Sequence, residues 1–410
     1  MNISRNKYEI IANMIALLCL VCICIKFTSA HFTYALIFWG LLVGISVYHF
    51  GKWTVLKSLK QKIASRFLMG LFLFYGCLLL SSILLWDDMS FWMSWDLLWM
   101  TASFFMFYTI GRWYNIHYGF QWGLFWGSIC LALKGLYQWY LAPGTRIQSF
   151  LWHPNGFGEV IGLLLPFLLY YAYKNKNSIV KFVFVTVILI LLFDLYHTES
   201  RGAMMGLGIG IAGSAIFGLS MYWRTISAKW RLEIAAMAIC AFALGAGMVD
   251  RVSSERDAWG ASGGERLLML EASYHMWDDH KWLGVGLANW ETAYYSDAYH
   301  PKEGREQGLD MPHNMPIYFF STTGILGGLG YCFFLLVSFW TILKKSRDDR
   351  SKALSMAMMA MFLAFTAQSM VDMTIINKYS ARIYFALWGY YLARTAASSL
   401  GSDKGHSLST

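Results

Sequence analysis

The chain has 410 residues, of which 57% are hydrophobic, 18% aromatic and only 14% charged, with a mean hydropathy of +0.44. A soluble domain carries about 25% charged residues and a disordered chain is poor in apolar ones, so both classes are excluded and a membrane protein is indicated. The formal net charge of +9 reads as a topology signal and not as nucleic-acid binding, because the basic residues gather in alternate segments between apolar stretches.

A bilayer core of about 30 Å needs about 20 predominantly apolar residues per helix. In chain order such stretches fall at approximately 8–27, 31–50, 64–86, 95–111, 119–140, 157–173, 179–197, 203–222, 232–249, 318–343, 353–372 and 381–396. They predict an all-α polytopic protein with about twelve transmembrane helices, forming a single transmembrane domain over 1–410. With the N-terminus inside, Arg5, Lys7, Lys52, Lys57, Arg112, Lys174, Lys344, Lys345 and Arg394 all lie on the inner side, so both termini are expected in the cytoplasm. The basic start and Thr28-Ser29-Ala30 end of the first stretch imitate a signal peptide, but the alternation of basic loops requires that this span be kept. The tail over 400–410 reads as disordered and cytoplasmic.

One long segment, 250–317, is expected to face outward between spans nine and ten. Within it Ser262-Gly263-Gly264-Glu265 reads as a capping box. Leu267, Leu270, Tyr274 and Trp277 at helical spacing predict a helix over 265–279 along the outer membrane surface. The seven cysteines all sit in apolar stretches and read as small fillers, with no disulfide framework.

Polar residues collect at the outer ends of the spans in four places: Thr145-Arg146 leading to His153-Pro154-Asn155 and Glu159; His197 to Gly202; Gly263 to Arg266; and Pro312-His313-Asn314. Arg201, in a turn between two apolar runs, must sit near the interface, where a charge is retained for a partner or a task. It reads as an interfacial arginine reaching lipid phosphates, as one paired with Glu199, or as an anion ligand. Arg266 stands in the first turn of a capped helix, where a cation is mildly unfavourable and an anion is welcome. Two converging guanidinium groups suit a pyrophosphate held without a metal. His313, just before an apolar run, is placed to take a proton from a hydroxyl at neutral pH, unless it is simply a satisfied interfacial histidine.

No ligand cluster accompanies the histidines, so no metal and no cofactor are expected. Gly284-Val285-Gly286 lacks the strand and third glycine of a dinucleotide fingerprint, and Gly206, Gly208 and Gly210 read as helix-packing positions. Ser200 reads as a turn or capping residue, while the outer tryptophans Trp152, Trp282 and Trp290 are candidates for stacking on sugar rings.

Thr145-Arg146 with His153-Pro154-Asn155, Ser200-Arg201-Gly202, Glu265-Arg266 with Gly284-Val285-Gly286, and His313-Asn314 with Thr323-Gly324-Ile325-Leu326-Gly327 follow one another in an order that resembles the O-antigen ligase and polymerase superfamily. The likeness covers about residues 140–345. It implies a GT-C type glycosyltransferase of the bacterial inner membrane with a periplasmic active site. The implied donor is a glycan on undecaprenyl pyrophosphate, and the implied acceptor in a ligase is a sugar hydroxyl of the lipid A core, among membrane lipids and without nucleic acid. By the same resemblance Arg201, Arg266 and His313 are the catalytic residues, the arginines on the pyrophosphate and His313 as base. Arg146, His153, Asn155, Glu199 and Asn314 are the implied substrate-binding residues. The reaction is expected to be metal-independent and inverting. The same motifs fit a polysaccharide polymerase or a protein O-oligosaccharyltransferase, and helix count alone also fits a transporter, although Lys134, Glu159, Asp194 and Asp372 all lie towards outer ends and not at a midplane.

Overall fold

The computed structural model describes residues 2–25, 31–50, 62–223, 264–302, 304 and 308–403, with isolated positions between 227 and 239. The expected ninth span, the Ser262 capping box and the end of the tail lie outside the described residues.

Among the described residues the fold is all-helical. In chain order the helices are α1 (Asn2–Cys24), α2 (His31–Phe50), α3 (Lys62–Leu84), α4 (Asp88–Met100), α5 (Ala102–Trp113), α6 (His117–Leu141) and α7 (Pro154–Lys174). There follow α8 (Ser178–Thr198), α9 (Arg201–Tyr222), α10 (Gly264–Asp279), the short α11 (Trp290–Tyr294), α12 (Met315–Lys345), α13 (Lys352–Ser369) and α14 (Lys378–Asp403). Six stretches among them are long and apolar enough to cross a bilayer unaided: Lys7–Cys24, Arg66–Leu84, Pro154–Lys174, Ser178–Thr198, Arg201–Tyr222 and Met315–Lys345. The chain is therefore an integral, polytopic membrane protein.

Of the other expected spans, 381–396 falls on α14, which packs against α1, α4, α5, α7 and α13. Tyr384, Phe385, Trp388, Tyr390 and Tyr391 on this helix are all buried. Its hydropathy is modest because tyrosines, two arginines and glycine interrupt it, and a helix enclosed by protein needs no lipid-matching face. The expected span at 95–111 is divided: Asp87 caps α4 earlier than the apolar run begins, accepting from the Met89 amide at 3.2 Å, and α4 gives way to α5 at Thr101. There the Thr101 hydroxyl donates to the Leu98 carbonyl at 2.6 Å, the kind of back-bond that bends a helix.

Glycines let α9 lie against α13. A Cβ on Gly210 would come within 2.4 Å of the Ala360 carbonyl oxygen, and one on Gly206 within 2.7 Å of that of Ala364, so these positions act in close helix packing.

The longest helix, α12, is broken at Gly324, whose φ of 63° and ψ of −159° are not helical. The Ile325 amide, which a regular helix would direct to Ser321, donates instead to the Lys281 carbonyl at 2.8 Å. The freed Ser321 and Thr322 carbonyls accept from the amides of Val285 at 3.0 Å and Gly286 at 2.9 Å. Thus the Gly284-Val285-Gly286 turn is spliced into the break, satisfying backbone groups that lipid would leave unpaired. The approach tolerates no side chain: a Cβ on Gly284 would lie 2.2 Å from the Thr322 carbonyl carbon. The same loop is held from its other side, where Asn289 donates to the Asp87 carboxylate at 2.7 Å and the Ala288 amide donates to the Ser90 hydroxyl at 3.0 Å. This double anchor fixes α10, and with it Arg266, relative to the start of α12.

Candidate active site

A cavity of about 210 Å³ opens at the end of the bundle where α7, α9, α10 and α12 begin and α8 ends. Arg146, His153, Asn155, Glu199, Ser200, Arg201, Arg266, His313 and Asp372 all contribute to its lining. Three guanidinium groups therefore face two carboxylates, and helix N-termini add their partial positive charge, so the cavity favours an anion.

Each side chain is placed by a local device. Glu199 ends α8 in the left-handed conformation, with φ 51°, and its amide returns to the Tyr196 carbonyl at 3.1 Å. Ser200 then caps α9 through the Ala203 amide, leaving Arg201 as the first helical residue and directed by the start of the helix. His153 caps α7, its Nδ1 accepting from the Asn155 amide at 3.2 Å. Burial of His153, followed by the nearby Arg146 charge, lowers its pKa below the ordinary histidine value, against smaller upward pulls from Asp372 and Asp310.

Arg146 braces the cavity wall as well as lining it. Its Nε donates to the Thr198 carbonyl at 2.8 Å, its Nη2 donates to the Asn155 side-chain oxygen at 2.7 Å, and its Nε stands 3.8 Å from Glu199. Two of its directions are thus committed to protein.

His313 adopts φ 51°, a conformation rarely held by a non-glycine residue unless its surroundings impose it. Those surroundings are visible. Asn314 caps α12 by accepting from the Ile317 amide at 3.0 Å and ties it to the 370s by donating to the Met370 carbonyl at 2.8 Å. His313 Nδ1 lies 3.3 Å from Asp372 Oδ1, and the same oxygen accepts from the Met373 amide at 2.9 Å. Burial pushes the Asp372 pKa up, but the His313 hydrogen bond and charge, the Met373 amide and Arg266 outweigh it, and the carboxyl titrates below its ordinary value. A neutral imidazole that donates through Nδ1 to the Asp372 carboxylate carries its lone pair on Nε2.

Of the residues expected to be catalytic or substrate-binding, all line this cavity except Asn314, whose amide is spent on helix capping and cross-bracing. Of the tryptophans, Trp290 is buried, 1% exposed, and donates to the Ser273 hydroxyl at 2.8 Å, so it is not available to a sugar ring; Trp152 and Trp282 are exposed. Asp372 is the residue that the sequence reading passed over as part of the site, noting it only as a charge near a span end. Its one signal is a lone acid interrupting the Met370-Val371-Asp372-Met373 run. Among the described residues no group of three His, Cys, Asp or Glu side chains has the spacing of a metal site.

Fold and cavity together define an integral membrane protein with an all-helical bundle and a polar, arginine-rich chamber at one end. Within it, residues 185–332 match the family model described as O-antigen ligase, so the likeness to the O-antigen ligase and polymerase superfamily rests on a domain match as well as on motifs. The matched segment contains Glu199, Arg201, Arg266 and His313. The chain is also similar to the teichuronic acid biosynthesis protein TuaE of Bacillus subtilis, at 20% identity over 263 residues, 58% of this chain. That match spans 50% of the length of TuaE.

Proposed function

We propose that the protein is a glycosyltransferase of cell-surface polysaccharide biosynthesis, moving a glycan from a lipid-linked pyrophosphate to an acceptor hydroxyl in the arginine-lined chamber. The observation that carries this reading is the His313–Asp372 pair, which shares one cavity with Arg201 and Arg266.

In this reading Arg201 and Arg266 grip the pyrophosphate oxygens, with Arg146 held back as a brace and further contact. His313 Nε2 removes the proton of the acceptor hydroxyl as its oxygen attacks the anomeric carbon. The bond from that carbon to the pyrophosphate oxygen breaks, and its electron pair leaves with the pyrophosphate, whose growing charge the guanidinium groups and helix N-termini receive. Asp372 steadies the imidazolium that results, as a carboxylate does for a base oriented through its other nitrogen. Attack from the face opposite the departing lipid inverts the anomeric centre, and no covalent sugar intermediate is needed. The apolar groove formed by Tyr274 and Trp277 of α10 with Ile317 and Phe320 of α12 runs beside the same two helices and suits the hydrocarbon of a lipid carrier.

The family description favours a ligase. In our reading of that ligase the carrier is undecaprenyl pyrophosphate, the acceptor is the lipid A core, and the basic loops put the chamber on the periplasmic side of the inner membrane with both termini cytoplasmic. The likeness to a teichuronic acid biosynthesis protein favours a second reading, a polymerase whose acceptor is another lipid-linked glycan. Purified protein incubated with an undecaprenyl-pyrophosphate glycan, in the presence of a chelator and with or without lipid A core, distinguishes the two. Product only with the core supports the ligase, a ladder without it supports the polymerase, and no product in either arm refutes glycan transfer.

A further inference from the structure

A second polar cavity, of about 190 Å³, lies at the other end of the bundle. Arg112 at the end of α5, Asn115 in the connection to α6, His117 at the start of α6, and Tyr390 and Arg394 of α14 line it. Its position follows from α7: Asn155 near the start lines the His313 chamber, whereas Tyr171, sixteen positions on and about 24 Å further along a helix at 1.5 Å per residue, donates to the Tyr390 hydroxyl at 2.9 Å. Tyr390 in turn is 3.1 Å from His117 Nδ1.

The chemistry here is unbalanced. Among the described residues Arg112 Nε and Nη1, both buried, have no hydrogen-bond partner, and a guanidinium cannot discharge itself by losing a proton. Arg394 contributes a second guanidinium, whose Nη1 donates to the Asn115 side-chain oxygen at 3.3 Å. Lys345, the last residue of α12, is buried close enough to feel the Arg112 charge, with Asp348 as the acid beside it. Among the described residues neither arginine has a carboxylate within salt-bridge distance. Buried charged donors left without acceptors are costly, and two guanidinium groups on one small cavity match the several oxygens of a phosphate, which both can bind in bidentate fashion.

We propose that this cavity binds a phosphate group, presented either by an anionic lipid headgroup in the facing leaflet or by a free phosphate ester. The site is separate from the glycan-transfer chamber, so neither reading depends on the other.

Native mass spectrometry of the full chain released from maltoside micelles tests it with three probes: phosphatidylglycerol, diacylglycerol of the same acyl chains, and inorganic phosphate. One saturable phosphatidylglycerol adduct, absent with diacylglycerol and weakened about tenfold in Arg112→Gln and in Arg394→Gln, is the expected result. Equal weakening of inorganic phosphate binding identifies a free phosphate as a sufficient ligand, while binding of the lipid alone identifies the headgroup. Arg394 is exposed, so its variant keeps the test valid if the buried Arg112 variant does not fold. Equal retention of phosphatidylglycerol and diacylglycerol, or unchanged affinity in Arg394→Gln, overturns the proposal.

Discussion

His313 and Asp372 are separated by 59 positions in the chain, yet the histidine Nδ1 and the carboxylate Oδ1 are 3.3 Å apart at the mouth of the bundle. The pair spans two connections, one entering α12 and one joining α13 to α14, and Asn314 binds the same two segments through the Met370 carbonyl. An imidazole held through Nδ1 in this way has its other nitrogen, Nε2, uncommitted to Asp372.

Asp372→Asn keeps the shape of the pair and removes its charge. Glycan transfer by the purified variant is expected to fall by about 10²- to 10⁴-fold, with His313→Ala falling at least as far. The double variant should be no worse than the His313 single, because the two residues act as a unit. Additive losses would show that Asp372 acts by another route.

On the proposed mechanism Arg201→Ala and Arg266→Ala each remove charge-assisted contacts to the donor. A loss of about 10- to 100-fold in kcat/KM is expected for each, and Arg→Lys should restore only part of it because an ammonium cannot offer the two-pronged guanidinium geometry. Arg146→Ala is expected instead to lower the melting temperature, since its donors hold Thr198 and Asn155. Initial rates over a range of donor concentrations, beside thermal melts, separate the two outcomes.

The lowered pKa of Asp372 gives stability a pH signature. A carboxylate of this kind adds stability that is complete above its ordinary value of about 3.9 and is lost as pH falls through the lower folded value. The difference in melting temperature between the parent protein and Asp372→Asn should therefore stay constant between about pH 6 and pH 8 and close below about pH 4. The lowered His153 acts in the opposite sense: below about pH 6.5 the unfolded chain takes up a proton that the folded one refuses, so stability is lost as pH falls from there. His153→Asn, which retains a capping acceptor, should remove that loss.

Gly324→Ala meets both an unfavourable φ and the Trp282 backbone, whose carbonyl carbon would lie 2.3 Å from the new Cβ. A destabilisation of about 3 kcal/mol or more is expected, read as a drop in detergent melting temperature. A Gly324→Ala protein as stable as the parent would mean that the loop does not dock in the break.

Much of this protein was legible in its sequence for a local reason. A helix that must face lipid needs a long apolar run, and a helix end needs a capping residue, so the α7, α8, α9 and α12 segments and the polar residues at their ends declare themselves within a few neighbours. The basic and apolar alternation predicts that the polar clusters lie on one side, and residues of all four line one cavity. What tertiary structure alone decided were relationships across long separations. The union of His313 with Asp372, the splicing of Val285 and Gly286 into the break at Gly324, the withdrawal of Trp290 and the enclosure of α14 each depend on which surfaces meet. Local periodicity carries no record of such meetings, because the free energy that selects them comes from packing and from backbone and charged groups that must find partners inside the bundle.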